Sequence, residues 1–310
     1  MTPGDISSQG QSPSSKRVLI TGANGQVGWE LQRTAPEGVE VIALDSAALD
    51  IRDQAQVNKI FNELTPDVVI NAAAYTSVDK AEKEPEIAYA VNATGAGNLA
   101  KASYSQDARF IQISTDFVFD GKQSTPYLPD DLPNPLGVYG ASKLKGEQLV
   151  SEYTHGEAII IRTAWVYSSH GENFVKTMLR LMRERNALSV VVDQIGSPTW
   201  ANGLAQTIWK MTKQPKIRGI FHWTDAGVAS WYDFSVAIQD EAIKLGLLKR
   251  NAIVSPIPVS DYITIAPRPV YSVLGKTKVW EGFGVRSEYW QHSLSRMLTE
   301  LRYNENDKNR

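Results

Sequence analysis

The sequence predicts an α/β fold: a doubly wound parallel sheet with helices on both faces, followed by a smaller C-terminal lobe. Three observations carry this. Short apolar runs alternate with helix-length amphipathic stretches from Arg17 onward. The first run, Val18-Leu19-Ile20, leads into glycines at Gly22, Gly25 and Gly28, and an amphipathic stretch follows. After about residue 165 the rhythm loosens, and Pro, Gly and Trp punctuate the chain.

Taken in order, residues 1–15 are rich in Ser, Gly, Pro and Gln, with neither a basic nor an apolar stretch, and read as a disordered lead-in. Strands are expected at Val18–Ile20, Val39–Leu44, Val68–Ile70, Phe110–Ile113 and Ala158–Ile161. Helices are expected over about 26–35, 53–64, 79–102 and 138–153. Compact apolar strands separated by helices imply βαβ units and a sheet buried on both faces. The dinucleotide-binding domain is therefore set at 16–165. Residues 166–310, with helices near 172–185, 200–213, 230–246 and 287–302, form mainly a substrate-binding lobe, some segments of which pack back on the first domain. Seven of the eight tryptophans fall in or next to this second part. In such folds ligands bind at the C-terminal edge of the sheet, where a lobe can cover them.

Composition narrows the function. With 32 basic and 34 acidic residues the net charge is −2, which argues against a nucleic-acid or polybasic membrane binder. No apolar run approaches a membrane span, and the expected location is cytoplasmic. Cysteine is absent, which removes thiol nucleophiles, thiolate zinc sites and disulfides. The four histidines, His155, His170, His222 and His292, show no paired ligand spacing, so no metal site is expected from the residues.

The glycine loop is the first chemical signal. Glycines permit a tight turn and close backbone approach, and the following helix N-terminus offers N–H groups to a pyrophosphate. A strand-to-helix turn favours glycine in any case, so the order strand, loop, helix matters more than the triplet. Asp45 ends the second apolar run, where a carboxylate accepts from the adenosine ribose. Together these make the first domain Rossmann-like. A carboxylate at Asp45 repels a 2′-phosphate, and Ser46, Ala47 and Ala48 supply no guanidinium to offset it. NADH is therefore expected to serve at least as well as NADPH, with Arg52 the nearest cation in sequence.

Tyr139 and Lys143 lie one helical turn apart on one face. Chance alone yields roughly one such pair in a chain of this composition. Its place raises it: it opens a helix just before the fifth strand and follows Ser114-Thr115-Asp116 at the end of the fourth. A phenol with a neighbouring ammonium and hydroxyl is a proton-delivery device, and the ammonium is expected to lower the phenol pKa.

The glycine loop, Asn71-Ala-Ala-Ala74, Ser114-Thr115-Asp116 and Tyr139-x-x-x-Lys143 resemble the extended short-chain dehydrogenase/reductase superfamily. Longer stretches, Asn71–Glu82, Ser114–Gly121, Tyr139–Glu147 and Asp193–Thr199, are similar to the dTDP-4-dehydrorhamnose reductase family. The resemblance runs from about residue 16 to 275. It implies reduction of the 4-keto group of dTDP-4-dehydro-L-rhamnose by NADH or NADPH, a step toward surface polysaccharide. It implies Tyr139 as proton donor, Lys143 tuning it and holding the nicotinamide ribose, and Thr115 hydrogen-bonding near the phenol. Gly25, Gln26 and Val27 would line the pyrophosphate, Asp50 and Ile51 the adenine, and Ala74, Tyr75 and Thr76 the nicotinamide side. Val78, Thr115, Asp116 and Trp165 would touch the sugar nucleotide. The resemblance also leaves room for a Mg2+ ion and a homodimer. Phe117 departs from it, standing where Tyr is common.

Other candidates divide between site and scaffold. Trp165 follows the fifth strand, where its ring can cover the sugar. Arg268-Pro269 reads equally as a pyrophosphate clamp or as a surface arginine. Asp79, Glu82 and Glu86 read most simply as a solvated helix face, a role for Val78–Asp79 in the site being the sharper alternative. Two rivals stand beside the reductase. A 4,6-dehydratase or 4-epimerase shares the fold, but a dehydratase needs a second acid where Phe117 stands. A non-catalytic nicotinamide-binding subunit is the rival from another class, opposed by the intact Thr115, Tyr139 and Lys143.

Overall fold

The computed structural model describes residues 15–308, the last four of them by backbone only. Apart from Ser15, the lead-in expected over 1–15 lies outside the described residues. β1 (Lys16–Thr21) pairs in parallel with β2 (Val39–Leu44) on one side and β3 (Val68–Asn71) on the other. β4 (Arg109–Thr115) and β5 (Ile159–Thr163) extend the sheet beyond β3. A sixth strand, Gly219–His222, pairs in parallel with β5 and closes that edge. The chain therefore switches direction across the sheet after β2, and the crevice between the C-terminal ends of β1 and β3 is the natural ligand site.

Both faces of the sheet are apolar because both are covered. Leu19, Val69, Phe110 and Ile160 pack on Val57 and Phe61 of α2 (Gln54–Leu64), with Leu99 and Val150. Val18, Ile20, Ile70, Ile111 and Ile161 face the other way, against Leu31 of α1 (Gln26–Arg33) and a helix from the second half of the chain. The expected helix over 79–102 is interrupted. α3 (Val78–Ala81) stops before Pro85, which opens α4 (Pro85–Tyr89), and a π-helical turn, Ala90–Gly95, leads into α5 (Ala96–Ser105). Proline disfavours helix in the residue before it, and Glu84 has a non-helical backbone. α6 (Val138–Tyr153) matches the expected span.

The lobe has its own core. Val175, Met178 and Met182 of α7 (Phe174–Glu184) meet Tyr167 and Leu188. α8 (Ala201–Thr212) turns back to the sheet, where the Trp209 indole donates to Leu31 O at 3.0 Å. Phe234 and Ile238 of α9 (Trp231–Lys244) continue the lobe core. After α10 (Thr277–Phe283), α11 (Trp290–Lys308) completes it with Leu294, Met297 and Leu298. Ala187–Val191 pairs in parallel with Ile253–Ile257. The boundary expected at 165 is thus crossed by α8, by the strand Gly219–His222 and by α10, whose Val279 joins the sheet core. Glu30, fully buried in α1, joins the halves by accepting from Ser168 Oγ at 2.8 Å and Asn202 Nδ2 at 2.9 Å. Among the described residues no helix is long and apolar enough to cross a membrane.

Candidate active site

Two joined clefts lie at the C-terminal ends of β1, β3, β4 and β5. One, of about 620 Å³, runs from the glycine loop past Thr115, Tyr139 and Lys143 to Trp165 and Arg268. The other, of about 360 Å³, is lined by Gly22, Asp45, Asp50, Ile51, Arg52 and Tyr75. They share Asn24, Gly25, Ala72 and Ala74, so they form one channel bent around the glycine loop. A larger groove of about 1010 Å³ runs along α6 beside Pro129–Pro133, away from every predicted site residue.

The glycine loop is built for close approach. Gly22 has φ +71°, and a Cβ there would stand 2.7 Å from the backbone of Ala72 and Ala73. α1 begins at Gln26 with no side-chain cap, which leaves its first-turn N–H groups and positive dipole end directed at the channel. The Gln26 side chain does something unforeseen. Its Oε1 accepts from Asn173 Nδ2 at 3.0 Å, tying the loop to the lobe. His170 closes the same corner, with its ring stacked on Trp29 at 5.0 Å and Nε2 3.0 Å from Asn24 O. Neither Asn24, Asn173 nor His170 carries a local sequence signal, because each acts across a long stretch of chain.

At the Asp45 end of the channel that carboxylate is already engaged. One oxygen accepts from the backbone N–H groups of Ala47 and Ala48, and the other accepts from Asn24 Nδ2 at 2.7 Å. Arg52 is folded onto Asp50, with Nη2 2.6 Å from Oδ2, and the guanidinium holds the Asp50 carboxyl below the usual range. Ile51 is buried beneath them. Tyr75 lines this end rather than the cleft holding Tyr139, and its phenol donates to Glu84 at 2.6 Å.

At the other end Tyr139 and Lys143 project from the first turns of α6. The Lys143 ammonium, almost wholly buried, donates to Ile113 O at 2.7 Å. Burial pulls its pKa down to about 8, opposed by Glu147. The Tyr139 phenol moves opposite to expectation. Burial pushes its pKa up to about 12, the hydrogen bond with the Thr115 hydroxyl pulls back, and the Asp116 carboxylate pushes up further. Desolvation dominates here, and the phenol stays protonated at neutral pH. Thr115 Oγ1 also lies 3.1 Å from Asp116 Oδ1. The other Asp116 oxygen is buried without a partner, and burial raises this carboxyl to about 6. Phe117, where the resemblance leads one to expect Tyr, packs its ring edge-on to Tyr139 at 5.5 Å.

Trp165, Val78 and residues of the lobe supply the remaining wall. Trp165 adopts φ +49°, a conformation side chains rarely take, and stacks on Trp231 with centroids 3.5 Å apart. Val78, Phe174 and Arg268 complete the cleft. Asp79 and Glu82 are not a solvated face: Asp79 pairs with Arg268 and Glu82 accepts from Val138 N. Glu86 is exposed, as expected. Among the described residues no group of three or more His, Asp or Glu is placed to hold a metal ion, so the Mg2+ ion that the resemblance allows has no such cluster there.

This arrangement matches known proteins over nearly the whole chain. The family profile described as the RmlD substrate binding domain matches residues 16–303. A dTDP-4-dehydrorhamnose reductase of Aggregatibacter actinomycetemcomitans is 42% identical over 285 residues, covering 90% of this chain and 97% of that protein. The spore coat polysaccharide biosynthesis protein SpsK of Bacillus subtilis is 44% identical over 285 residues, covering 92% and 97%. The crystal structure of a Bacillus anthracis dTDP-4-dehydrorhamnose reductase in complex with NADP superposes with TM-score 0.87 at 40% identity, covering 92% and 99%.

Proposed function

This chain belongs to the dTDP-4-dehydrorhamnose reductase family, and from that premise we propose that it reduces the 4-keto group of dTDP-4-dehydro-β-L-rhamnose to give dTDP-β-L-rhamnose. The observation that carries the proposal is the half-buried Tyr139 phenol, which lines one cleft with Thr115, Lys143 and the glycine loop.

The channel fits a nicotinamide dinucleotide. Gly22 leaves room where a Cβ would fill the cradle, and α1 presents uncapped N–H groups beside it. Gly25, Gln26, Val27 and Gly28 would hold the pyrophosphate, Asp45, Asp50 and Ile51 the adenosine, and Ala74 and Thr76 the nicotinamide. NADH or NADPH supplies the hydride. The chain supplies the proton and the surroundings. Tyr139 donates its phenolic proton to the oxygen of the former ketone, and Thr115, in the same cleft, would steady the phenol. Lys143, held at Ile113 O, places a positive charge beneath that site, where it can hold the nicotinamide ribose and favour the phenolate left after transfer. Trp165, with Val78, Asp116 and Arg268, would contact the sugar nucleotide. Phe117 in place of a second acid supports plain reduction over dehydration. The relatives named as reductases oppose a non-catalytic subunit, and we place the reaction in the cytoplasm.

Purified protein given dTDP-4-dehydrorhamnose made in situ should oxidise NADH, with kcat/KM at least equal to that for NADPH, followed at 340 nm. The Asp45 carboxylate lining this end of the channel motivates this order. A preference for NADPH above about tenfold, or 1.4 kcal/mol, would mean that Arg52 leaves Asp50 to read a 2′-phosphate. No oxidation of either cofactor would overturn the reductase reading.

A further inference from the structure

α3 is only one turn long, yet its carboxylate, Asp79, and that of the residue after it, Glu82, are committed to different parts of the molecule. Asp79 Oδ2 accepts from Arg268 Nη2 at 2.8 Å, and its Oδ1 accepts from Ala266 N at 3.0 Å. Three residues on, Glu82 Oε1 accepts from Val138 N at 2.8 Å. Val138 is the first residue of α6, whose N-cap, Gly137, has no side chain to satisfy the orphaned N–H groups. Glu82 supplies that acceptor from 56 residues away, and a carboxylate at a helix N-terminus also suits the dipole.

The three segments meet with no slack. A Cβ on Gly137 would stand 2.5 Å from Glu82 Oε1 and 3.5 Å from Pro267 Cδ. The arginine segment is held on its far side as well, where Ile195 N donates to Val270 O at 2.7 Å. Arg268 is thus oriented from both ends, while its Nε is buried without a partner in the wall of the cleft that contains Tyr139. A guanidinium pinned by one carboxylate, with donors left over, is set to receive an oxyanion.

We propose that the turn from Val78 to Glu82 is the joint that sets the lobe's anion-binding arginine in register with the catalytic helix. Asp79 is the positioning residue for Arg268, which takes the diphosphate of the sugar nucleotide. Glu82 is the positioning residue for the first turn of α6, and through it for Tyr139. This rests on the reductase reading for the identity of the diphosphate, but not for the joint itself.

The two carboxylates should therefore fail in different measurements. By calorimetry with thymidine diphosphate, Asp79→Ala should weaken binding about tenfold or more, as should Arg268→Ala, with NADH affinity unchanged. The double variant should bind no more weakly than Arg268→Ala alone, because Asp79 acts only through the arginine. Glu82→Ala should lower kcat about tenfold with both affinities intact, and Glu82→Gln, which keeps the acceptor, should recover most of it. Unchanged or tighter thymidine diphosphate binding in Asp79→Ala would overturn the proposal, since Asp79 would then only offset the guanidinium charge. Additive losses in the double variant, or equal loss of kcat in Glu82→Gln and Glu82→Ala, would overturn it too. If the wild-type protein binds thymidine diphosphate but turns over no 4-keto sugar nucleotide, the reductase reading fails while the binding cycle still decides on Asp79.

Discussion

The first half of the chain, to Thr163, and the second half, from Ala164, build opposite walls of one cleft by different means. In the first half the working groups are neighbours in sequence. Thr115 and Asp116 end one strand, and Tyr139 and Lys143 share one helix face. In the second half Trp165, Trp231 and Arg268 are far apart, and each is set by a non-local contact: a ring stack, or an ion pair to α3. Buried charge follows the same division. Glu147 of α6 is paired with Arg162, with Nη2 2.7 Å from Oε2. Asp225 in the second half accepts from Trp200 N at 3.0 Å, but Lys276 donates past its carboxylate to Thr224 Oγ1 and Asp225 O. On the proposed reading, local geometry makes the chemistry and tertiary geometry makes the fit to the substrate.

That division is open to attack at each end. The largest effect belongs to the first half. Tyr139→Phe should lower kcat 10²–10⁴-fold, with NADH affinity by fluorescence titration nearly intact, because only the proton source is removed. Retention of a third or more of kcat would take the chemistry away from α6. Glu147→Ala leaves Arg162 buried and unpaired, and should cost about 3–5 kcal/mol in urea denaturation. A loss under 1 kcal/mol would show that water reaches the pair.

In the second half the corresponding carboxylate should behave oppositely. Burial raises Asp225 to about 7 from its ordinary 3.8. The folded protein then holds this proton more tightly than the unfolded chain. The stability it contributes is complete below about 4 and lost as pH rises through 7. Asp225→Asn should therefore be more stable than wild type at pH 8, by on the order of 1–3 kcal/mol, with the gap closing by pH 4. A gap that is constant with pH would mean that packing, not charge, sets it. The smallest effect is expected at the stacked pair. Trp165→Ala should raise KM for the sugar nucleotide about fivefold with little change in NADH affinity. Equal loss of both would make Trp165 a structural brace between the halves and blur the division drawn here.

How much was legible follows the same line. β2 and α6 occupy their expected spans, since an apolar run or a 3.6-residue period is a property of adjacent residues. The helix expected over 79–102 broke at Pro85, a signal present in the sequence but outweighed by the periodicity around it. The strand Gly219–His222 was not foreseen, because four residues containing a glycine carry no period of their own and β5 supplies the pairing. Asp79 and Glu82 looked solvated because helical spacing shows only which side chains share a face, not what lies opposite that face.

By itself, then, the sequence determined the parallel sheet, the glycine loop and the Tyr139–Lys143 pair, each written within a short segment by backbone sterics and periodicity. The tertiary structure alone decided the phenol's pKa, the engagement of Asp45 by Asn24, the Trp165–Trp231 stack and the link from α3 to Arg268. These depend on desolvation and on partners 20 to 190 residues away, and neither burial nor such a partner exists until the chain has closed on itself.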